Sequence, residues 1–155
     1  MRPHAALLLL LLAIPACSLL NGGGDDWTER TLETSPPRRD LLAYCERALA
    51  QAGYPAPMID EAASEAQSGW RAELHPFGGV GRRYRGTLRL EPAEAGGVTV
   101  RARVEAQSNA EKSKPLDPAA ADWNEEPADE ARARILLQHL WSLLETSGAL
   151  AGTRR

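Results

Sequence analysis

Cysteine and histidine are scarce in this 155-residue chain, which has two cysteines, Cys17 and Cys45, and three histidines. Two cysteines are too few for the dense disulfide framework of a small secreted domain. The chain has no His-x-x-x-His, Cys-x-x-Cys or Glu-x-x-His spacing, on which zinc sites are commonly built. It also has neither a G-x-S-x-G elbow nor a phosphate loop that ends in G-K-[ST]. We therefore expect no metal ion and no cofactor, and we assign no catalytic residue.

The chain also has no excess of positive charge. It contains 18 Lys and Arg residues and 21 Asp and Glu residues, so its formal net charge is −3. A domain that binds nucleic acid usually carries a strongly basic patch and a high isoelectric point. We therefore expect no nucleic-acid partner.

No apolar run is long enough to cross the core of a bilayer, which needs about 20 residues. The longest run, residues 5–14, follows Arg2 and precedes Cys17 and a stretch of three glycines. A short apolar run behind a positive N-terminus is typical of a secretory signal peptide. We predict that residues 1–16 are a signal peptide that is cleaved.

The residues Ile14-Pro15-Ala16-Cys17 resemble the lipobox of bacterial lipoproteins, which reads aliphatic, small, small, cysteine. Three positions match, and Pro15 departs from the pattern. The resemblance implies cleavage before Cys17, a diacylglyceryl group on its sulfur and an acyl group on the new amine. Two or more acyl chains anchor a protein stably. Ser18, where an aspartate would favour inner-membrane retention, implies sorting to the periplasmic face of the outer membrane.

Residues 17–34 are predicted to be the lipidated cysteine and a flexible tether, because they are rich in glycine and polar residues. A coil of this length typically reaches about 20–25 Å. Trp27 is the large aromatic residue of this segment. It either docks on the domain, lies at the membrane interface or is exposed, and the sequence does not decide among these.

Two segments have the periodicity of amphipathic helices. The first is predicted to run from an N-cap at Ser35 to Gly53, and the second from Pro127 or Asp129 to Gly148. Cys45 lies in the middle of the first apolar stripe, which predicts a buried and unreactive thiol. The two stripes contain Leu41, Cys45, Ala48, Leu49 and Ala52 in the first helix and Ala133, Leu136, Leu137, Leu140, Trp141, Leu143 and Leu144 in the second.

Three runs of alternating apolar and polar residues predict an antiparallel meander with one apolar face and one wet face. Residues 56–62 are predicted to add a short edge strand. Residues 108–127 are predicted to be a polar loop, in which Trp123 either anchors a partner or folds back on the domain, and residues 149–155 a frayed tail. The apolar face is predicted to contain Trp70, Ala72, Leu74, Tyr84, Gly86, Leu88, Leu90, Val98, Val100, Ala102, Val104 and Ala106.

These elements predict one α+β domain over residues 35–148. It is a two-layer sandwich, in which a meander of three to four strands is covered on one face by an N-terminal and a C-terminal helix. The layout is similar to the small helix-grip-like domains of outer-membrane assembly lipoproteins. That resemblance is one of architecture without a shared motif, so it implies no activity.

The wet face of the meander is predicted to be rich in arginine. Either these arginines form a solvated face with cross-strand ion pairs, or they form a surface for an anion or a partner protein, since arginine presents a planar donor fork. The arginines predicted on this face are Arg71, Arg83, Arg85, Arg89, Arg101 and Arg103.

The sequence therefore favours an envelope lipoprotein, anchored to the membrane by Cys17, that acts as a non-enzymatic binding or assembly component. The expected partner is another envelope protein or an anionic envelope polymer. The alternative is an envelope enzyme that acts on cell-wall or lipid material through a site without a recognisable motif.

Overall fold

The computed structural model describes residues 26–74 and 80–150. The predicted signal peptide, Cys17, His75 and residues 151–155 lie outside the described residues. Within them, two helices and a seven-stranded antiparallel sheet form an α+β fold, which confirms the predicted fold class but with more strands than the expected three to four. In chain order the elements are β1 (Thr28–Leu32), α1 (Arg38–Gln51), β2 (Met58–Asp60), β3 (Glu65–Gln67), β4 (Arg71–Glu73), β5 (Arg82–Pro92), β6 (Val98–Asn109), β7 (Trp123–Glu126) and α2 (Glu130–Thr146).

The sheet is built around the long hairpin of β5 and β6. Two short strands, β3 and β4, pair with different parts of β5, and two others, β1 and β7, pair with different parts of β6. Strand β2 pairs with β3 at the outer edge, as predicted for residues 56–62. Strands β4, β5 and β6 follow one another in the chain and pair in that order, so they form the predicted meander, and β7, which the sequence did not predict, extends it by pairing with β6.

The turn between β5 and β6 requires glycine. Gly96 and Gly97 have φ angles of +89° and +87°, which side chains rarely adopt. A Cβ atom on Gly97 would lie 2.1 Å from the carbonyl oxygen of Leu32, at the end of β1. The turn and the docking of β1 therefore depend on the same glycine.

Both helices begin and end near the predicted positions. Helix α1 begins after Pro37 rather than at Ser35, because prolines suit the start of a helix, where free N–H groups have no partner. It ends at Gln51, and Gly53, two residues later, has a φ of +80°. Helix α2 is capped by Asp129, whose Oδ1 accepts a hydrogen bond from the N–H of Arg132 at 2.9 Å.

The two helices lie on one face of the sheet and bury a single apolar core. Gly86 of β5 makes room for this packing, since a Cβ there would lie 2.8 Å from Leu49 Cδ2 of α1 and 3.4 Å from Leu136 Cδ2 of α2. Neither helix of the described segments is both long enough and apolar enough to span a bilayer. The most deeply buried side chains are Leu41, Leu42, Cys45, Leu49, Leu88, Val100, Val104, Leu136, Leu140 and Leu144.

The prediction of a flexible tether is wrong for residues 28–32, which form β1. Its backbone pairs with residues 98–102 of β6, and Leu32 is buried in the core. Arg30 lies with its guanidinium 4.4 Å from the centre of the Trp141 ring of α2. These contacts order a segment whose own composition is polar, because the strand completes the edge of β6.

The predicted loop 108–127 and tail 149–155 also need correction. Strand β6 continues to Asn109 and residues 123–126 form β7, so the connection is residues 110–122. At the C-terminus, Ala149 and Leu150 pack against the core, and the Ala149 N–H donates to the Leu144 carbonyl. In both places, contacts with distant residues stabilise a segment that looks irregular in sequence.

The predicted orientation of residues 70–73 is wrong by one residue. Arg71 lies opposite the buried Tyr84, and Ala72 lies opposite Arg83, so Arg71 and Glu73 are on the helix side of the sheet. A one-residue shift moves every side chain of a strand to the other face. Because β4 has only three residues, its pairing with β5 decides the orientation, and its own alternation does not.

Candidate functional site

We call the side of the sheet that faces away from the helices the open face. Five of the six predicted arginines lie there, because they alternate with buried residues along β5 and β6. The five are Arg83, Arg85, Arg89, Arg101 and Arg103. The sequence prediction is thus confirmed for these five positions and is wrong for Arg71.

Arg71 instead joins the helices to the sheet. Its Nη1 donates to the carbonyl of Ala52 at 3.1 Å, and its Nη2 donates to Glu73 at 2.8 Å. Both oxygens of Glu73 also accept from Arg132 of α2, at 3.2 and 3.1 Å. Burial raises the pKa of the neighbouring Tyr54, and the charges of Arg132 and Arg71 oppose that shift. Glu73 therefore bridges two arginines in a structural network and belongs to no binding face.

One half of the open face lies beside β1. Arg89 and Arg101 are directly opposite each other on β5 and β6, a like-charge pair that is destabilising without compensation. The Trp27 ring lies over both, with its centre 4.7 Å from Arg89 Cζ and 5.4 Å from Arg101 Cζ. Trp27 therefore docks on the domain.

Carboxylates balance the positive charges of the arginines in this half of the open face. Glu65 accepts from both Nε and Nη2 of Arg89, at 2.9 and 2.8 Å. Arg101 lies 3.4 Å from Glu91, and a further ion pair of 3.4 Å joins Arg103 to Asp26. Here the arginines are part of a balanced network.

The other half of the open face lies beside β4 and β7. Arg83 Cζ lies 4.6 Å from the centres of both the Trp70 and the Trp123 rings. Arg85 also lies over Trp70, at 4.8 Å, and its Nε donates to Glu105. Trp123 thus folds back on the domain. Trp70 lies on the open face, whereas the predicted alternation placed it in the core.

The open face is not electropositive. The described residues bring at least six carboxylates to the five arginines, and sequence reasoning missed most of them. Asp26 and Glu29 lie in the segment predicted to be a tether, and Glu125 lies in the segment predicted to be a loop. Glu65 lies in a segment for which the sequence predicts no element. The six carboxylates are Asp26, Glu29, Glu65, Glu91, Glu105 and Glu125.

Arg83 differs from its neighbours on the open face. Its Nε donates to Gln107 Oε1 at 2.6 Å, while the Gln107 amide donates to Glu125, directly opposite on β7. Among the described residues, no carboxylate lies within ion-pairing distance of Arg83. Burial lowers the pKa of Arg83, the charge of Glu125 opposes this, and that of Arg85 adds to it. An arginine guanidinium keeps its charge in proteins, and this one lies over two rings.

Cys45 lies in the core, and no group of three or more His, Cys, Asp and Glu residues in the described segments could hold a metal ion. Burial raises the pKa of the Cys45 thiol to about 12. The thiolate is the reactive form of cysteine, so this residue is not a nucleophile at neutral pH.

We expect alkylation of Cys45 to be slow in the native protein and fast in denaturant.

The raised pKa of Cys45 also predicts a pH dependence of the free energy of unfolding. Between the ordinary pKa of 9.0 and the native value of about 12, only the unfolded thiol loses its proton, so the free energy of unfolding falls as pH rises through this window. Denaturant unfolding at several pH values measures this slope. A Cys45→Ala variant with the same slope would contradict the assignment.

Arginines of β5 and β6 meet tryptophans of β7 and of the residues just before β1 and β4 on the open face. We therefore take the open face as the candidate functional site. No protein-family model matches the sequence, and a search of curated proteins finds no match.

Proposed function

We propose that this protein is a lipid-anchored component of a bacterial cell envelope that binds another envelope protein on the open face of its sheet. The single observation that supports this function is the stacking of four of the five arginines, all but Arg103, on Trp27, Trp70 and Trp123 on that face. Tryptophan and arginine are the side chains most enriched among the residues that dominate binding between proteins.

The charge of the face favours a protein partner over an anionic polymer. A polymer with a repeating negative charge is attracted by a field of one sign, whereas this surface presents both signs in fixed pairs. Alternating charges at known positions instead give specificity to a docking protein. The stacking on tryptophan also favours binding, because an arginine side chain that is already ordered loses little further conformational entropy when a partner binds.

The anchor supports the same function from the sequence. The lipobox residues Ile14-Pro15-Ala16-Cys17 place the modified cysteine ten residues before Trp27. A fully extended chain spans at most about 3.3–3.6 Å per residue, so this segment reaches about 35 Å. The Trp27 end of the open face then lies near the membrane surface, where another envelope protein is available.

Site-specific photo-crosslinking in cells tests this function. Thr31 and Thr99 lie side by side on the open face, with their Oγ1 atoms 3.1 Å apart, and each can carry the crosslinking residue. Gln138 and Ser142 are exposed on α2, on the opposite side of the domain, and serve as matched controls. We expect a discrete protein adduct in the membrane fraction from the two threonine positions alone. Equal adducts from α2, or none from the open face, would reject the function.

A further inference from the structure

We propose that Arg83, held between Trp70 and Trp123, is a subsite for a carboxylate group of the protein partner, either an Asp or Glu side chain or a chain terminus. This inference rests on the proposed function, because it names the chemical group that the open face recognises. No motif marks it in the sequence, since its parts come from four separate segments.

The subsite is preorganised by the sheet. Arg83 lies on β5, Gln107 is its direct partner on β6, Trp70 comes just before β4 and Trp123 begins β7. The two rings lie at the same distance, 4.6 Å, from the guanidinium carbon, and the bond from Nε to Gln107 restrains its rotation. A ligand therefore meets an arginine that has already lost most of its rotamer freedom.

The edge of the guanidinium that carries Nη1 and Nη2 is available. Arg85 donates its Nε, and Arg89 its Nε and Nη2, to a carboxylate of the face itself, whereas Arg83 donates only its Nε, and to a neutral amide. In the described part of the chain its Nη atoms make no hydrogen bond, and they are not among the buried nitrogens that lack one. Two parallel N–H groups on such an edge match the two oxygens of a carboxylate.

The local charge favours a carboxylate over a phosphate. Arg83 and Arg85 are accompanied by Glu105 and Glu125, so the surroundings are close to neutral. A phosphate monoester carries nearly two negative charges at neutral pH and is repelled by both carboxylates, whereas a carboxylate carries one. A carboxylate is also planar and can pair with the guanidinium edge through two parallel hydrogen bonds.

Binding of short probes to the full-length, lipidated protein in detergent tests the subsite. The probes are the peptides Gly-Gly-Glu-Gly-Gly and Gly-Gly-Gln-Gly-Gly with blocked termini, called the glutamate and glutamine peptides, and inorganic phosphate, each titrated by calorimetry. The variants are Arg83→Gln, Arg83→Lys and, as a matched control, Arg134→Gln, which changes an exposed arginine of α2 on the opposite side of the domain. Thermal unfolding checks that each variant is folded.

We expect the glutamate peptide to bind and the glutamine peptide not to bind. Arg83→Gln should weaken binding of the glutamate peptide by about 10- to 100-fold, the range for a hydrogen bond to a charged group. Arg83→Lys keeps the charge but loses the fork and should also weaken binding, while Arg134→Gln should change it by less than about 3-fold. Failure of the glutamate peptide to bind, equal binding of the glutamine peptide, tighter binding of phosphate or full binding by both Arg83 variants would overturn the subsite.

Crosslinking separates this inference from the proposed function. If the adduct at Thr99 forms equally in wild type and Arg83→Gln cells, the subsite is wrong while the function stands. If binding of the glutamate peptide depends on Arg83 but no adduct forms at Thr31 or Thr99, the proposed function is wrong while the subsite stands.

Discussion

Replacing Cys17 with alanine should release the protein from the membrane fraction or leave it as an uncleaved precursor. The lipobox predicts acyl chains on this residue, and each buried methylene contributes about 0.8 kcal/mol to membrane binding. Two or more such chains are enough for stable anchoring, and the variant would lack all of them. Cell fractionation followed by mass spectrometry of the N-terminus measures both the location and the modification.

The second cysteine provides the matched control for the anchor. Cys45→Ala removes a thiol that is fully buried in α1, so it should leave the protein in the membrane fraction. The acylated N-terminal Cys17 should be found in both the wild type and the Cys45→Ala protein. Cleavage at another site with an unmodified Cys17, or a Cys17→Ala protein that remains processed and membrane-bound, would refute the anchor.

Truncation of Leu136 to alanine should cause the largest loss of stability. Leu136 is fully buried on α2 and packs beside Gly86, where the sheet has no side chain that could move into a cavity. Replacing a buried leucine with alanine typically costs about 2–5 kcal/mol, through lost burial and the cavity that remains. Urea unfolding, followed by circular dichroism, measures the change.

The adjacent Ile135 is the control for this prediction. It lies on the same helix but is 50% exposed, so Ile135→Ala should change stability by no more than about 0.5 kcal/mol. A similar loss in both variants would mean that α2 is rotated relative to the sheet. The pair therefore tests which face of α2 is buried.

The two halves of the open face differ in what the sequence could reveal. Alternation along β5 and β6 places Arg89 and Arg101 on the open face. Like charges on neighbouring strands need a compensating charge. Their partners could not be found, because Glu29 and Trp27 lie in a polar segment that has no strand periodicity. Similarly, Trp123 lies in a segment that resembles a loop, and only its pairing with Asn109 brings its ring to Arg83.

The sequence by itself determined the core of this protein. Strands β5 and β6 are 11 and 12 residues long, and each repeats its alternation often enough to specify which face is buried. The helices do the same over three turns or more, so their apolar stripes were predictable. The sequence of a long element specifies which of its faces is buried, because each repeat of the pattern adds to the free energy gained by burying that same face.

The tertiary structure decided the short strands and, through them, the site. Strands β1, β4 and β7 have three to five residues, and their stability comes from hydrogen bonds to the edges of β5 and β6 rather than from their own apolar pattern. Their register sets the face of every side chain that they carry. Arg71 therefore lies on the helix side and Trp70 beside Arg83, because pairing with a longer strand outweighed a short local alternation that favoured the opposite orientation.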